Sequence, residues 1–316
     1  MKRIVYGAPP SNTPAGGVKV IYKHSELLNK MGVESGVWHP GADDFKCSWF
    51  NSEIKNISTK ELNPAKDIII LPEIWASVYA KTFKEIGFEY AIYVQNAYYA
   101  NFNLDATNKN NIKESYQNAK FIMSISKDTS QFLRDIFLID ESKIILQRYS
   151  IDNNIFKPGN KEKIITYMPR KMEQHSSRVI SLLHNELPYG WKIESINNKS
   201  EDEVARELSK SIIFLAFSEF EGLPVPPVEA AMAGNIVIGY HGQGGKEYWN
   251  NSTFIEINQG DIQNFIKKTI NEIQNIDKYG IQIDDINKTI NNLNEYFSKN
   301  NEELLIKKLI ERVGEI

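Results

Sequence analysis

One stretch limits the possible folds of this chain more than any other: residues 211–245, SIIFLAFSEFEGLPVPPVEAAMAGNIVIGYHGQGG. It opens with an apolar run, 212–217, bounded by polar residues. A run of that length reads as a strand buried on both faces of a parallel sheet. A loop over 218–226 follows, holding Ser218, Glu219, Glu221, Gly222, Leu223 and Pro224. Proline is favoured at a first helical position, so a short helix starts near Pro226 or Pro227 and runs through Glu229 to Ala233. Gly234 suits the position just past its end. A second apolar run, 236–238, and a glycine-rich turn, 242–245, complete the unit. Strand, loop, helix, strand is the building block of an open α/β sheet, and its strand-to-helix loop lies at the edge where such sheets bind ligands.

A helix N-terminus carries partial positive charge and unbonded N–H groups, which suit a phosphate or diphosphate. Glu221 and Glu229 flank it with seven residues between them. Beside a phosphate, carboxylates make sense as acceptors for sugar hydroxyls. Taken alone, the same pair also reads as solvated glutamates at the end of a helix.

In its strand–loop–helix–strand setting the stretch resembles the Glu-x7-Glu region of retaining glycosyltransferases of the GT-B fold. The resemblance implies that Glu221 meets the donor sugar and Glu229 the ribose of a nucleotide-diphosphate sugar. Ser218, Gly222, Leu223 and Pro224 then form the donor loop. The family wording is EGFG followed by LP; here it is EGLPVPP.

Further matches follow along the chain. A short strand, 4–6, leads into GAPPSNTPAGG, which ends in Gly16-Gly17, and a helix pattern then runs to Met31. The resemblance places this glycine pair near the donor phosphates and the acceptor; the residues alone equally support a turn needing positive φ. Runs at 67–71 and 90–95 read as strands, the second ending in Gln95-Asn96, candidates for donor or acceptor contact. Ser126 or Asp128 caps the helix after the strand at 121–126. Ile151-Asp152, Phe156 and Pro158 match the family's crossing segment between domains.

After the strand at 164–168 come Arg170 and Lys171. By resemblance they neutralise the donor diphosphate, Arg170 first for its fork geometry and Lys171 second. Adjacent residues point apart, which leaves room for only one of them at the phosphate. Ser200 and Glu203 form a capping box. His241 lies beside the site without an assigned role, and Glu247 shapes the turn after Gly245.

Composition excludes several classes. The net charge of −3 speaks against nucleic acid as a main partner. No apolar run approaches the roughly 18 residues of a membrane span. The single cysteine, Cys47, rules out an internal disulfide and fits a reducing cytoplasm. No histidine or cysteine cluster has metal-ligand spacing.

The expected architecture is therefore α/β of the GT-B type: two Rossmann-like domains with a cleft between them, 1–156 on the acceptor side and 157–316 binding the nucleotide sugar. A final helix, about 294–313, is expected to cross back to the first domain. The expected activity is metal-independent sugar transfer with retention, from a nucleotide-diphosphate sugar to a hydroxyl of a glycan or lipid-linked acceptor in cell-envelope polysaccharide synthesis. Its catalytic residues are Arg170, Lys171 and Glu221. No cofactor is expected, the nucleotide sugar being a substrate. The expected location is cytoplasmic, with peripheral contact at the inner membrane face where the acceptor is lipid-linked. A non-catalytic nucleotide-sugar-binding subunit and a GT-B sugar-nucleotide epimerase remain alternatives.

Overall fold

The structure, a computed structural model, describes residues 1–100 and 109–316. It divides into two compact units: 1–149 with 300–316, and 150–299.

The first unit is built on a six-stranded sheet of β1 (Arg3–Gly7), β2 (Ser35–Trp38), β3 (Asp67–Pro72), β4 (Glu89–Val94), β5 (Ile122–Ser124) and β6 (Ile144–Leu146). The order is β2-β1-β3-β4-β5-β6, and every pairing is parallel. Parallel strands must be joined by crossovers, so helices cover the faces. These include α1 (Gly16–Lys30), α2 (Ala76–Glu85), α3 (Lys109–Asn118) and α4 (Lys127–Asp135). Ile69, Leu71, Ile92 and Val94 are buried with Ala76, Ala80 and Leu133. Each fully buried Ile, Leu or Val side chain contributes about 1.5–3 kcal/mol. Ser126 caps α4 by accepting from the Thr129 amide at 3.1 Å.

The second unit repeats the plan with β7 (Ile164–Tyr167), β8 (Lys192–Ser195), β9 (Ile213–Glu221), β10 (Ile236–Gln243) and β11 (Phe254–Glu256). Its order is β11-β10-β9-β7-β8, again all parallel. Helices α5 (Glu173–Glu186), α6 (Glu201–Lys210), α7 (Pro226–Met232), α8 (Ile262–Tyr279) and α9 (Ile283–Tyr296) complete it. Phe217 of β9 stacks on Phe265 of α8 at 4.9 Å, at the centre of a core with Ile213, Leu215, Ile238 and Ile273. The Ser200–Glu203 capping box forms at the start of α6. Gly234 closes α7 with φ +81, a conformation that favours glycine.

Several expectations need correction. The stretch 218–221 is strand, not loop: β9 runs on to Glu221 because its backbone continues to pair with β10, Ser218 against His241 and Glu221 against Gln243. Gly16 and Gly17 are not a positive-φ turn; they form the first turn of α1. The final helix is broken. After α9, Phe297 leaves the helical path, its ring buried and its carbonyl accepting from the Ile151 amide at 3.1 Å. A new helix, α10 (Lys299–Gly314), then begins. Residues 300–316 belong to the first unit: Gln147 Nε2 donates to the Leu305 carbonyl at 2.6 Å, and Leu305, Ile306 and Leu309 are buried. The units divide before Ser150 rather than after Phe156, because Ile151 bonds to Phe297 and Asp152 faces Lys299 at 3.4 Å. Among the described residues no helix is long and apolar enough to cross a membrane.

Candidate functional site

In an open parallel sheet the ligand crevice opens at the C-terminal strand ends, where the strand order reverses. In the second unit the chain passes from β7 outward to β8, then returns to the other side of β7 for β9 and β10. The reversal lies between β7 and β9. Lys171 follows β7 and Glu221 ends β9. Across that crevice Lys171 Nζ donates to Glu221 Oε2 at 2.8 Å, with both side chains about a quarter exposed (27% and 23%). Two residues fifty apart in sequence, each singled out for donor chemistry, thus meet at the position the topology reserves for a ligand.

Arg170 is exposed and makes no ion pair with a described residue. Of the adjacent basic residues it is Lys171 that pairs with Glu221. The residues expected to form the donor loop are packed into the fold. Ser218, Gly222, Leu223 and Pro224 are buried, and Tyr248 Oη holds the loop by donating to the Pro224 carbonyl at 2.7 Å. Glu229 is half-buried in the first turn of α7.

The reading of α7 as an anion-binding helix end is corrected by its own residues. Pro226 and Pro227 occupy its first positions and carry no N–H. The next two amides, of Val228 and Glu229, both donate to the Val225 carbonyl at 2.9 and 3.0 Å. Backbone donors in the 222–227 segment are confined to the amides of Gly222, Leu223 and Val225. Any charge on a ligand here falls more heavily on side chains such as Lys171.

In the same unit, His175 of α5 shares a 2.6 Å hydrogen bond with the Tyr240 hydroxyl. Burial lowers the His175 pKa, nearby Arg178 adds to the effect, and Glu219 opposes it. Burial pushes Tyr240 up to about 12.

The other predicted residues gather on the matching edge of the first unit, whose order reverses between β1 and β3. Gly16 is exposed at the start of α1. Gln95 Nε2 donates to the Gly17 carbonyl at 3.1 Å, and a Cβ on Gly17 would lie 2.1 Å from Gln95 Oε1. Asn96 is buried and accepts from the Tyr98 amide at 3.1 Å; Tyr98 Oη in turn donates to Asp128 at 2.7 Å.

Sequence reasoning missed the residue that organises this edge. Glu73, directly after β3, is buried and accepts from the amides of Gln95 and Asn96 at 3.2 and 3.0 Å. Burial pushes its pKa up to about 7 against the pull of these backbone donors. An acid immediately after a buried parallel strand was the available signal. Among the described residues no three His, Cys, Asp or Glu side chains converge as metal ligands would.

Comparison with known proteins agrees with the topology. The chain is similar along its whole length to sucrose-phosphate synthase from Thermosynechococcus elongatus (TM-score 0.69, 13% identity, 99% of each chain covered). It is equally similar to Anabaena HepE in complex with UDP-glucose (TM-score 0.71, 11% identity, 98% of this chain and 100% of that one). The chain has the GT-B glycosyltransferase fold. In sequence it is 23% identical over 274 residues to an alpha-1,6-glucosyltransferase of Actinobacillus pleuropneumoniae serotype 7 (strain AP76), covering 82% of this chain and 79% of that one. No protein-family profile matches the chain. Within this fold, Glu221 ends β9 and Lys171 lies in the segment after β7, while in the first unit Gln95 and Asn96 directly follow β4 and Gly17 lies in the first turn of α1.

Proposed function

We propose that this chain is a glycosyltransferase that moves a sugar, with retention, from a nucleotide-diphosphate donor to an acceptor hydroxyl. The observation that carries the reading is the Lys171–Glu221 pair across the β7/β9 reversal. The alpha-1,6-glucosyltransferase relative and the UDP-glucose bound to HepE support UDP-glucose as the donor.

Transfer breaks the bond between the anomeric carbon and the diphosphate oxygen and forms one to the acceptor oxygen. The acceptor proton passes to the leaving phosphate on the same face. Negative charge grows on the diphosphate, and catalysis lies in stabilising it there. Lys171, freed from Glu221 by the arriving donor, supplies the positive charge, with Arg170 beside it. Glu221 then accepts from sugar hydroxyls and Glu229 from the ribose. No metal is required in this reading. Gly16, Gly17, Gln95 and Asn96 serve the acceptor side, and a lipid-linked acceptor would bring the protein to the inner membrane face.

Incubation with UDP-glucose and candidate glycan acceptors tests the proposal. UDP release that depends on acceptor supports it. Isomerised donor without acceptor would identify an epimerase instead, and binding without turnover a non-catalytic subunit. Lys171→Ala should lower kcat by about 10²–10³, the effect of removing one stabiliser of transition-state charge. Its fold stability should change by no more than about 1 kcal/mol, since the pair is partly exposed. An unchanged kcat would remove Lys171 from the mechanism.

A further inference from the structure

Strand β10 ends in a conformation its residues do not favour. Gln243 has φ 69 and ψ −66, a γ-turn geometry that is rare and strained for an L-residue. Gly242 before it also has positive φ, +62. Such a segment persists only where its surroundings over-determine it.

One set of constraints is steric. A Cβ on Gly244 would lie 1.8 Å from the Gly222 carbonyl oxygen and 2.8 Å from that of Glu221. A Cβ on Gly242 would lie 2.8 Å from Ser218 Cβ and 3.4 Å from Glu221 Cβ. The backbone of 242–244 therefore lies directly against the donor loop. The pairing register shifts at the same point: Ser218 faces His241, yet Glu221 faces Gln243, so β9 carries one extra residue in a bulge. Bulges bend a strand and re-aim its side chains. Here the bulge immediately precedes Glu221.

The other constraint is His241. The Gln243 amide donates to its Nδ1 at 3.0 Å. Nδ1 must then be unprotonated, and the neutral ring carries its proton on Nε2, which lies 3.4 Å from Glu256 Oε1 on β11. Trp249 packs edge-on against the ring at 6.2 Å.

We propose that His241 is a positioning residue for Glu221. Its Nδ1 holds the Gln243 turn, the turn presses Gly244 onto Gly222, and this fixes the bulge from which the Glu221 carboxylate projects. The inference rests on the donor-site reading given above.

The experiment measures the affinities for UDP and UDP-glucose by calorimetry, with amide exchange of Gln243 followed in parallel. His241→Leu should weaken UDP-glucose by about fivefold, the effect of roughly one hydrogen bond, while leaving UDP unchanged. The Gln243 amide should lose protection. His241→Asn should restore both, because asparagine accepts from the amide two residues on in the same way. Equal loss for UDP and UDP-glucose, no loss for either, or failure of the Asn variant to restore the difference would overturn the proposal. If the unmodified protein binds neither UDP nor UDP-glucose, the UDP-glucose reading fails, and the exchange data still decide whether His241 holds the turn.

Discussion

Each unit holds a parallel sheet whose strand order reverses next to its first strand, yet the two reversals are secured by different chemistry. In the first unit a buried carboxylate, Glu73, gathers the amides of Gln95 and Asn96 from the neighbouring strand end. In the second, glycine backbone is pressed against glycine backbone, Gly244 on Gly222, next to Glu221 of the partly buried Lys171–Glu221 pair. A buried acid depends on proton concentration, whereas a backbone wedge depends on volume. The first edge should therefore respond to pH and the second to the addition of a single carbon.

Three substitutions sharpen that contrast. Gly244→Ala should cost more than about 3 kcal/mol, because the new methyl meets backbone that cannot rotate away. Denaturant unfolding would measure it, and a loss under 1 kcal/mol would show that the wedge yields.

Glu73→Gln comes next. Burial raises the Glu73 pKa from 4.5 to about 7. Between those values the native state keeps a proton that the unfolded chain has released. Stability therefore falls as pH climbs from 4.5 through about 7, by up to about 3 kcal/mol in all. The Gln variant should lose that slope when unfolding is compared at acid and neutral pH. An identical slope in both proteins would assign it to other groups.

Gly16→Ala should have the smallest effect. No atom lies within 4 Å of its added Cβ, and the residue opens a helix. A gain of up to about 1 kcal/mol is expected from helix propensity; a thermal midpoint below that of the unmodified protein would contradict the open space around it.

What the sequence made readable followed short-range rules. Apolar runs marked most strands, Ser126 and Ser200 marked helix starts, and Gly234 marked a helix end. Lys171 and Glu221 were singled out by resemblance to the GT-B family, and the topology brings them together. The misreadings share a cause: the deciding partner lies far away in sequence. The mostly polar stretch Ser218-Glu219-Phe220-Glu221 looks like a loop, because strand pairing there is made by backbone that leaves no trace in side-chain type. The break at Phe297 depends on an amide at Ile151, and the burial of Glu73 on amides at Gln95 and Asn96. The helix-end reading failed differently. The prolines that announce a start to α7 also delete the donors that start was expected to offer.

The place of α10 bears on how the protein is made. Its residues 300–316 belong to the first unit although they are translated after the whole of the second. A ribosome emitting this chain finishes residues 150–299 as an uninterrupted body while the earlier half still lacks the cover for Gln147 and its neighbours. Folding of the first unit must therefore conclude after residues 300–316 have emerged, and a stop codon near position 299 would damage the half encoded first.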